Sequence, residues 1–210
     1  MKKVDDGTIY VNYDLNEIHF NAGINEESMS KLIEDLIIME NKINTKKRTL
    51  KRKIREFEKT TDNANEFIDN YEINVKPKPI KLFITSPGGL IYQVFSAIDT
   101  IKNMTVPVHT ICKGIVASAG TLLSLAGKRR YITENSYMLI HELRSGCWGK
   151  YSYLKDQMEN STNLMEHIKK YYIENTKLTR EELDVILVKD LTWNAQKCVD
   201  VGLVDEIIKK

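Results

Sequence analysis

The chain has 210 residues and a mass of 24.3 kDa, the size of one ordinary domain. Its 42% hydrophobic and 29% charged residues exclude disordered, collagen-like and disulfide-scaffold classes. With 31 basic against 29 acidic side chains the formal charge is only +2, so the overall charge makes no case for nucleic acid or an anionic membrane as the main partner.

In chain order, Met1 to Asn12 mixes Lys2, Lys3, Asp5 and Asp6 with no apolar run of the length a secretory signal needs. Asn25 can cap a helix that carries Glu26 and Glu27 in its first turn. Met29, Leu32, Ile33, Leu36, Ile37 and Ile43 then follow helical spacing on one expected apolar face. Between Lys42 and Asp62 nine basic side chains meet three acidic ones, a local net of +6 that leaves −4 to the rest of the chain. This segment reads as a solvated excursion. Its alternative is a helix with Leu50, Ile54 and Phe57 on one side, touching a partner or nucleic acid. Thr60 to Asn74 is polar, and Pro77 and Pro79 punctuate the chain before a new apolar run.

From Ile80 onward strands and helices alternate. Ile80 to Thr85 is strand-like, Ser86-Pro87-Gly88-Gly89 turns, Val94, Ile98 and Ile101 mark a helix, and Val106 to Cys112 is a second strand. A β-turn-α-β unit of this kind implies a largely parallel sheet with helical crossovers. Ala117 to Leu125 then looks helical, Tyr137 to His141 is a strand, and Tyr151 to Asn175 is a long helix. Finally, Asn194 can cap a short helix that Gly202 ends, before a closing strand from Leu203 to Ile208.

Cys112, Cys147 and Cys198 are odd in number and lack C-x-x-C spacing, which points to free thiols in a reducing compartment rather than to a disulfide framework or zinc site. The longest strongly apolar uncharged stretch, Gly114 to Gly127, falls short of the roughly 18 to 20 residues a membrane helix requires. A cytoplasmic protein without metal, cofactor or membrane partner is expected.

Four features can carry chemistry. Ser118 lies among small residues, Gly114-Ile115-Val116-Ala117-Ser118-Ala119-Gly120, between a strand and an apolar helix. A nucleophile needs such a setting, because substrate backbone can approach and a helix start favours developing negative charge. The same run equally serves close packing of helix on strand. The glycines of Ser86-Pro87-Gly88-Gly89 can present N–H groups to an oxyanion, or simply make a tight turn. His141 would sit at the carboxyl end of its strand, where functional groups gather in parallel sheets, or be a partly exposed histidine with no role. Asp190 is the fourth. An imidazole acting as a base needs an acceptor of its kind, although alone it reads as a surface carboxylate.

Jointly these words match one family. Phe83-Ile84-Thr85-Ser86-Pro87-Gly88-Gly89, Gly114 to Gly120 around Ser118, Tyr137 to His141, and Asp190 with Ala195 and Gly202-Leu203-Val204-Asp205 resemble the proteolytic subunit of Clp protease, ClpP. The resemblance covers roughly residues 15 to 40 and 78 to 208. It implies a ClpP/crotonase-type α/β fold, with a parallel sheet, helical crossovers and a protruding strand-helix handle at about 143–177. It also implies a single domain over 1–210, interrupted by a charged insert at about 41–78 that typical members lack. The implied activity is that of a serine endopeptidase cutting peptides or unfolded proteins inside a chamber of heptameric rings, up to a tetradecamer. Ser118 would be nucleophile, His141 base and Asp190 its orienting acid, with the Gly89 and Ala119 amides as oxyanion hole.

Three departures accompany the match. Glu142-Leu143 replaces the family's Gln-Pro after the histidine, the glycine-rich strand that follows is altered to Arg144-Ser145-Gly146-Cys147-Trp148-Gly149, and the apolar dock for a Clp-type ATPase partner is occupied by Lys81, Asn103 and Lys113. Two other readings stand beside the peptidase: a catalytically idle or regulatory ClpP-like subunit, and an acyl-CoA enzyme of the related crotonase superfamily.

Overall fold

The computed structural model describes residues 8–58 and 78–209, without the side chains of 57 and 58. Two short strands, β1 (Thr8–Asn12) and β2 (Glu17–Asn21), open it as an antiparallel hairpin, with Tyr10 opposite His19. Asn12 Oδ1 accepts from the Asp14 and Leu15 amides and Asn16 takes φ 55°, so two asparagines make the turn. This hairpin was not expected from the sequence.

Helix α1 runs Glu26–Glu58, 33 residues or about 50 Å. Asn25 caps it as expected, its Oδ1 accepting from the Ser28 amide at 2.8 Å. Met29, Leu32, Leu36, Met39 and Ile43 are its buried face, whereas Ile37 is 46% exposed and lies off that face. The helix continues into the basic segment, so residues 41–58 of the expected insert are helical, as the alternative reading had it. Past Ile43 none of its side chains through residue 56 is buried. Glu40 Oε1, which accepts from Thr105 N, Thr105 Oγ1 and Val106 N, and Asn44, which donates to Thr105, tie this stretch to the body. Residues 59–77, with Thr60 to Asn74 and Pro77, lie outside the described residues, as does the side chain of Phe57.

The sheet has eight strands among the described residues. β3 (Ile80–Ser86), β4 (Val108–Ala117), β5 (Arg129–Thr133), β6 (Tyr137–Leu139), β7 (Thr192–Asn194) and β8 (Glu206–Ile208) follow the hairpin. Its path is β1-β2-β3-β4-β5-β8, parallel from β2 onward, with β6 paired to β4 and β7 antiparallel to β6. The largely parallel sheet with helical crossovers is therefore observed. Alternation decides its two faces: Ile80, Leu82 and Ile84 of β3 are buried with Ile18 and Phe20 of β2, while Lys81, Phe83 and Thr85 face the other way. Helices α2 (Ile91–Asn103) and α3 (Ala119–Leu125) join α1 over the apolar face. α4 (Tyr151–Asn175), α5 (Arg180–Ile186) and the Asn194-capped α6 (Ala195–Asp200) complete the chain. No helix of the described residues is long and apolar enough to cross a membrane.

β4 extends five residues beyond its expected end because it changes neighbours. Residues His109 to Cys112 pair with β5, and Ile115 to Ala117 pair with β6. Between them β4 shifts register against β3 by two residues, with Gly114 at φ 63°. This jog carries the end of β4 away from β5 and delivers Ser118 beside β6.

Arg130 clamps the carboxyl-terminal segment. Its Nη2 donates to Asp205 Oδ1 at 2.5 Å, its backbone N–H to Oδ2 at 2.8 Å, and its Nη1 to the carbonyls of Asn175 and Gly202. Burial disfavours the charged Asp205 carboxylate, but the Arg130 bonds outweigh it and hold the group below the usual carboxylate range. A carboxylate lowered on folding adds stability above its unfolded value, near 3.9, and that stability drains away as pH falls through the lower folded value. Asp205→Asn is therefore expected to destabilise the protein at pH 7 and to approach the wild type below about pH 3. Urea unfolding of both proteins at the two pH values checks this.

Candidate active site

Ser118 lies between β4 and α3 as its setting suggested, although the helix starts at Ala119 rather than at Ala117. Its N–H donates to Leu139 O at 2.8 Å, continuing the β4–β6 ladder one residue past Ala117. Its φ of 53° and ψ of −127° belong to a conformation that residues with a Cβ rarely adopt, held by the strand before it and the helix after it. Its carbonyl accepts both from Thr121 N at 2.9 Å and from Thr121 Oγ1 at 2.6 Å.

The Ser86 to Gly89 turn packs directly on this bend. A Cβ placed on Gly88 would fall 2.6 Å from Ser118 Cβ, 2.7 Å from Ala117 O and 3.0 Å from Ala119 N. On its other side the turn is bound to Ile24, whose N–H donates to Gly88 O and whose carbonyl accepts from Leu90 N, each at 2.8 Å. Gly89, at φ 148°, leaves its own N–H free, as does Ala119; neither donates to another group among the described residues. Two unsatisfied amides thus stand on the two turns that meet at Ser118. The small residues do permit close packing, with Gly88 seated against Ser118 and Ala119.

His141 lies two residues past β6, which ends at Leu139 rather than running through the histidine. Since Ala117 pairs with Leu139, Ser118 and His141 leave the sheet side by side at the carboxyl ends of adjacent parallel strands. His141 Nδ1 contacts Asp190 Oδ1 at 3.0 Å, with the imidazole 14% and the carboxylate 57% exposed. This contact spans 49 residues, and one backbone bond sets it: Glu142 N donates to Leu187 O at 2.8 Å. Leu183 and Leu187 are buried, so the core holds the segment that presents Asp190. Arg144 Nη2 reaches the second oxygen of Asp190. Nothing in the spacing of Arg144 and Asp190 signals that contact.

The structure therefore brings together His141 with Asp190, and the Gly88 turn with the bend at Ser118. No hydrogen bond joins Ser118 Oγ to His141 among the described residues; such bonds are often long without substrate and tighten in the complex. The other histidines have different surroundings. His19 stacks on Phe83 at 4.4 Å, His167 meets the Phe95 ring edge, and burial followed by the Arg129 charge lowers the pKa of His109.

Residues 57–210 match the family model of Clp protease. Over 156 residues, 72% of this chain, it is 30% identical to the ATP-dependent Clp protease proteolytic subunit 2 of Synechococcus sp. (strain CC9605), of which the match covers 79%. The chain belongs to the Clp protease family. The mixed α/β sheet agrees with that fold, the family is one of peptidases, and its members assemble into oligomeric rings. No observation favours the acyl-CoA reading. One expectation drawn from the resemblance is corrected: within the expected handle at about 143–177, residues 143–150 form no strand among the described residues, and only α4 is regular. An extended segment becomes a strand only beside a second ladder, and among the described residues the amides placed at its start are Glu142 N on Leu187 O and Leu143 N on Met165 Sδ.

In this Clp protease family member a cavity of about 410 Å³ opens between that segment and α4, with a mixed lining in which Leu143, Leu154, Met158 and Met165 alternate with Glu142, Gln157, Thr162, Glu166 and other polar side chains. It begins one residue past His141. α4 also supports Ser118 from below. Thr121 Oγ1 donates its one proton to Ser118 O, so the 2.5 Å contact with the buried Tyr172 OH is a bond that the tyrosine donates. Tyr172→Phe is expected to cost about 1 kcal/mol of stability by leaving the Thr121 oxygen short of a donor. Denaturant unfolding measures it, and no loss would show that the contact carries little.

Proposed function

We propose that this protein is a serine endopeptidase that hydrolyses peptides and unfolded proteins, with Ser118 as nucleophile, His141 as general base and Asp190 as the group that orients the imidazole. The observation that carries this reading is the 3.0 Å His141–Asp190 contact presented beside Ser118 by adjacent parallel strands. His141 Nε2 takes the Ser118 hydroxyl proton as Oγ bonds to the peptide carbonyl carbon, and Asp190 accepts from Nδ1–H to fix the tautomer. The developing oxyanion is held by the Gly89 and Ala119 amides, whose lack of other partners supports that role. The imidazolium then protonates the leaving amine, and a water activated by His141 releases the acyl group.

The proposal includes a single domain with the basic excursion and the α4 handle as elaborations, stacked heptameric rings, and a cytoplasmic setting in which Cys112, Cys147 and Cys198 stay free thiols. Lys81 and Lys113 flank Phe83 on the open sheet face. A Clp-type ATPase seeking an apolar dock would meet two ammonium groups there, so hydrolysis of short peptides without an added ATPase is the activity to assay.

The missing Ser118–His141 bond is what favours an idle subunit instead. Incubation with a fluorophosphonate probe decides: labelling of wild type and none of Ser118→Ala supports the peptidase. An assembled wild-type particle, sized by native mass, that takes no label overturns it.

A further inference from the structure

Asp190 projects from a turn closed by Lys189 N on Ile186 O, and 57% of its side chain is in solvent. Nothing in its own packing selects the rotamer that meets His141. Its two oxygens have one partner each among the described residues: His141 Nδ1 on Oδ1, and Arg144 Nη2 on Oδ2. Arg144 comes three residues after His141 on the irregular segment tied to Leu187. The guanidinium and the imidazole therefore approach the carboxylate from one strand of chain and hold it between them.

We infer that Arg144 is the positioning residue of this pair, its guanidinium keeping the Asp190 carboxylate turned toward His141. A free carboxylate this exposed exchanges rotamers rapidly, and a planar guanidinium on the second oxygen limits that motion better than a single ammonium. The consequence for turnover rests on the Ser118 reading proposed above; the positional claim does not. Arg144 itself is 69% exposed, so its replacement leaves the core untouched. Exposed ion pairs are weak, and the expected effect on acylation is about three- to fivefold.

The test combines the structures of Arg144→Met and Arg144→Lys with the rate at which a fluorophosphonate probe modifies each protein. In Arg144→Met the carboxylate is expected to leave the imidazole, with probe reaction slowed about three- to fivefold and kcat on a short peptide lowered at unchanged KM. Arg144→Lys recovers part of the rate, and Arg144→Met adds nothing in an Asp190→Asn background. Retention of the 3.0 Å contact in Arg144→Met, or an equal rate loss in the Asp190→Asn background, overturns the inference. If wild type takes no label, the serine reading falls, while the Arg144→Met coordinates still decide whether the guanidinium holds Asp190.

Discussion

Ser118→Ala is expected to abolish peptide hydrolysis, lowering kcat/KM by about 10⁴- to 10⁶-fold, with native particle mass and thermal stability unchanged. The size of the effect follows from the step that is lost. Without Oγ no acyl-enzyme forms, and only the Gly89 and Ala119 amides remain to stabilise attack by water. The side chain makes no hydrogen bond that the fold needs, since the contacts fixing this bend come from the Ser118 N–H and carbonyl. Asp190→Asn should lie lower on the same scale, about 10²- to 10⁴-fold, because a neutral amide no longer selects the useful imidazole tautomer and solvent partly takes its place around an exposed carboxylate. Steady-state assays on a fluorogenic peptide read both. More than a hundredth of wild-type activity in Ser118→Ala would remove Ser118 as nucleophile.

The elements legible in the sequence were those with a local period and a local stop. Tyr151–Asn175 was read to the residue because Met158, Met165, Ile168 and Tyr172 keep one face with no Pro or Gly inside the segment, and Asn25 and Asn194 cap where their side chains predict. Elements defined by partners far along the chain were lost or misjudged. The extension of β4 to Ala117 depends on β6, twenty residues later, and Ile37 follows helical spacing yet points away from the face that Met39 completes. The β1–β2 hairpin did leave a trace in Asn12 and Asn16, two turn-forming residues flanking Tyr13 to Leu15. The candidate residues Ser118, Gly89, Ala119, His141 and Asp190 were singled out through the family resemblance, whereas contacts such as that of His141 with Asp190 came from the structure. Arg144 registered only as a departure from a glycine-rich pattern, because its contact with Asp190 crosses 46 residues and depends on the Glu142–Leu187 bond.

That bend also predicts the largest structural effect, at Gly88. Its φ of 92° already penalises any residue with a Cβ, and the added carbon would meet three atoms at 3.0 Å or less, two of them backbone atoms of β4 and α3. Neither side can yield alone. The Gly88 turn is bound through Ile24, and Ser118 through Leu139, so relief of the clash must separate the turn from the bend. Gly88→Ala is accordingly expected to cost about 2–4 kcal/mol of stability. It should also lower kcat/KM at least about 100-fold, since displacing the Gly89 amide by an ångström from Ala119 disarms the pair. Gly146→Ala is the control: it lies in the segment after His141, meets no atom within 4 Å, and should leave both quantities near wild type. Unfolding and peptide-hydrolysis measurements on the two variants separate a specific contact at Ser118 from general sensitivity of the site. A Gly88→Ala protein with wild-type stability and turnover would mean that the two turns do not form one rigid unit.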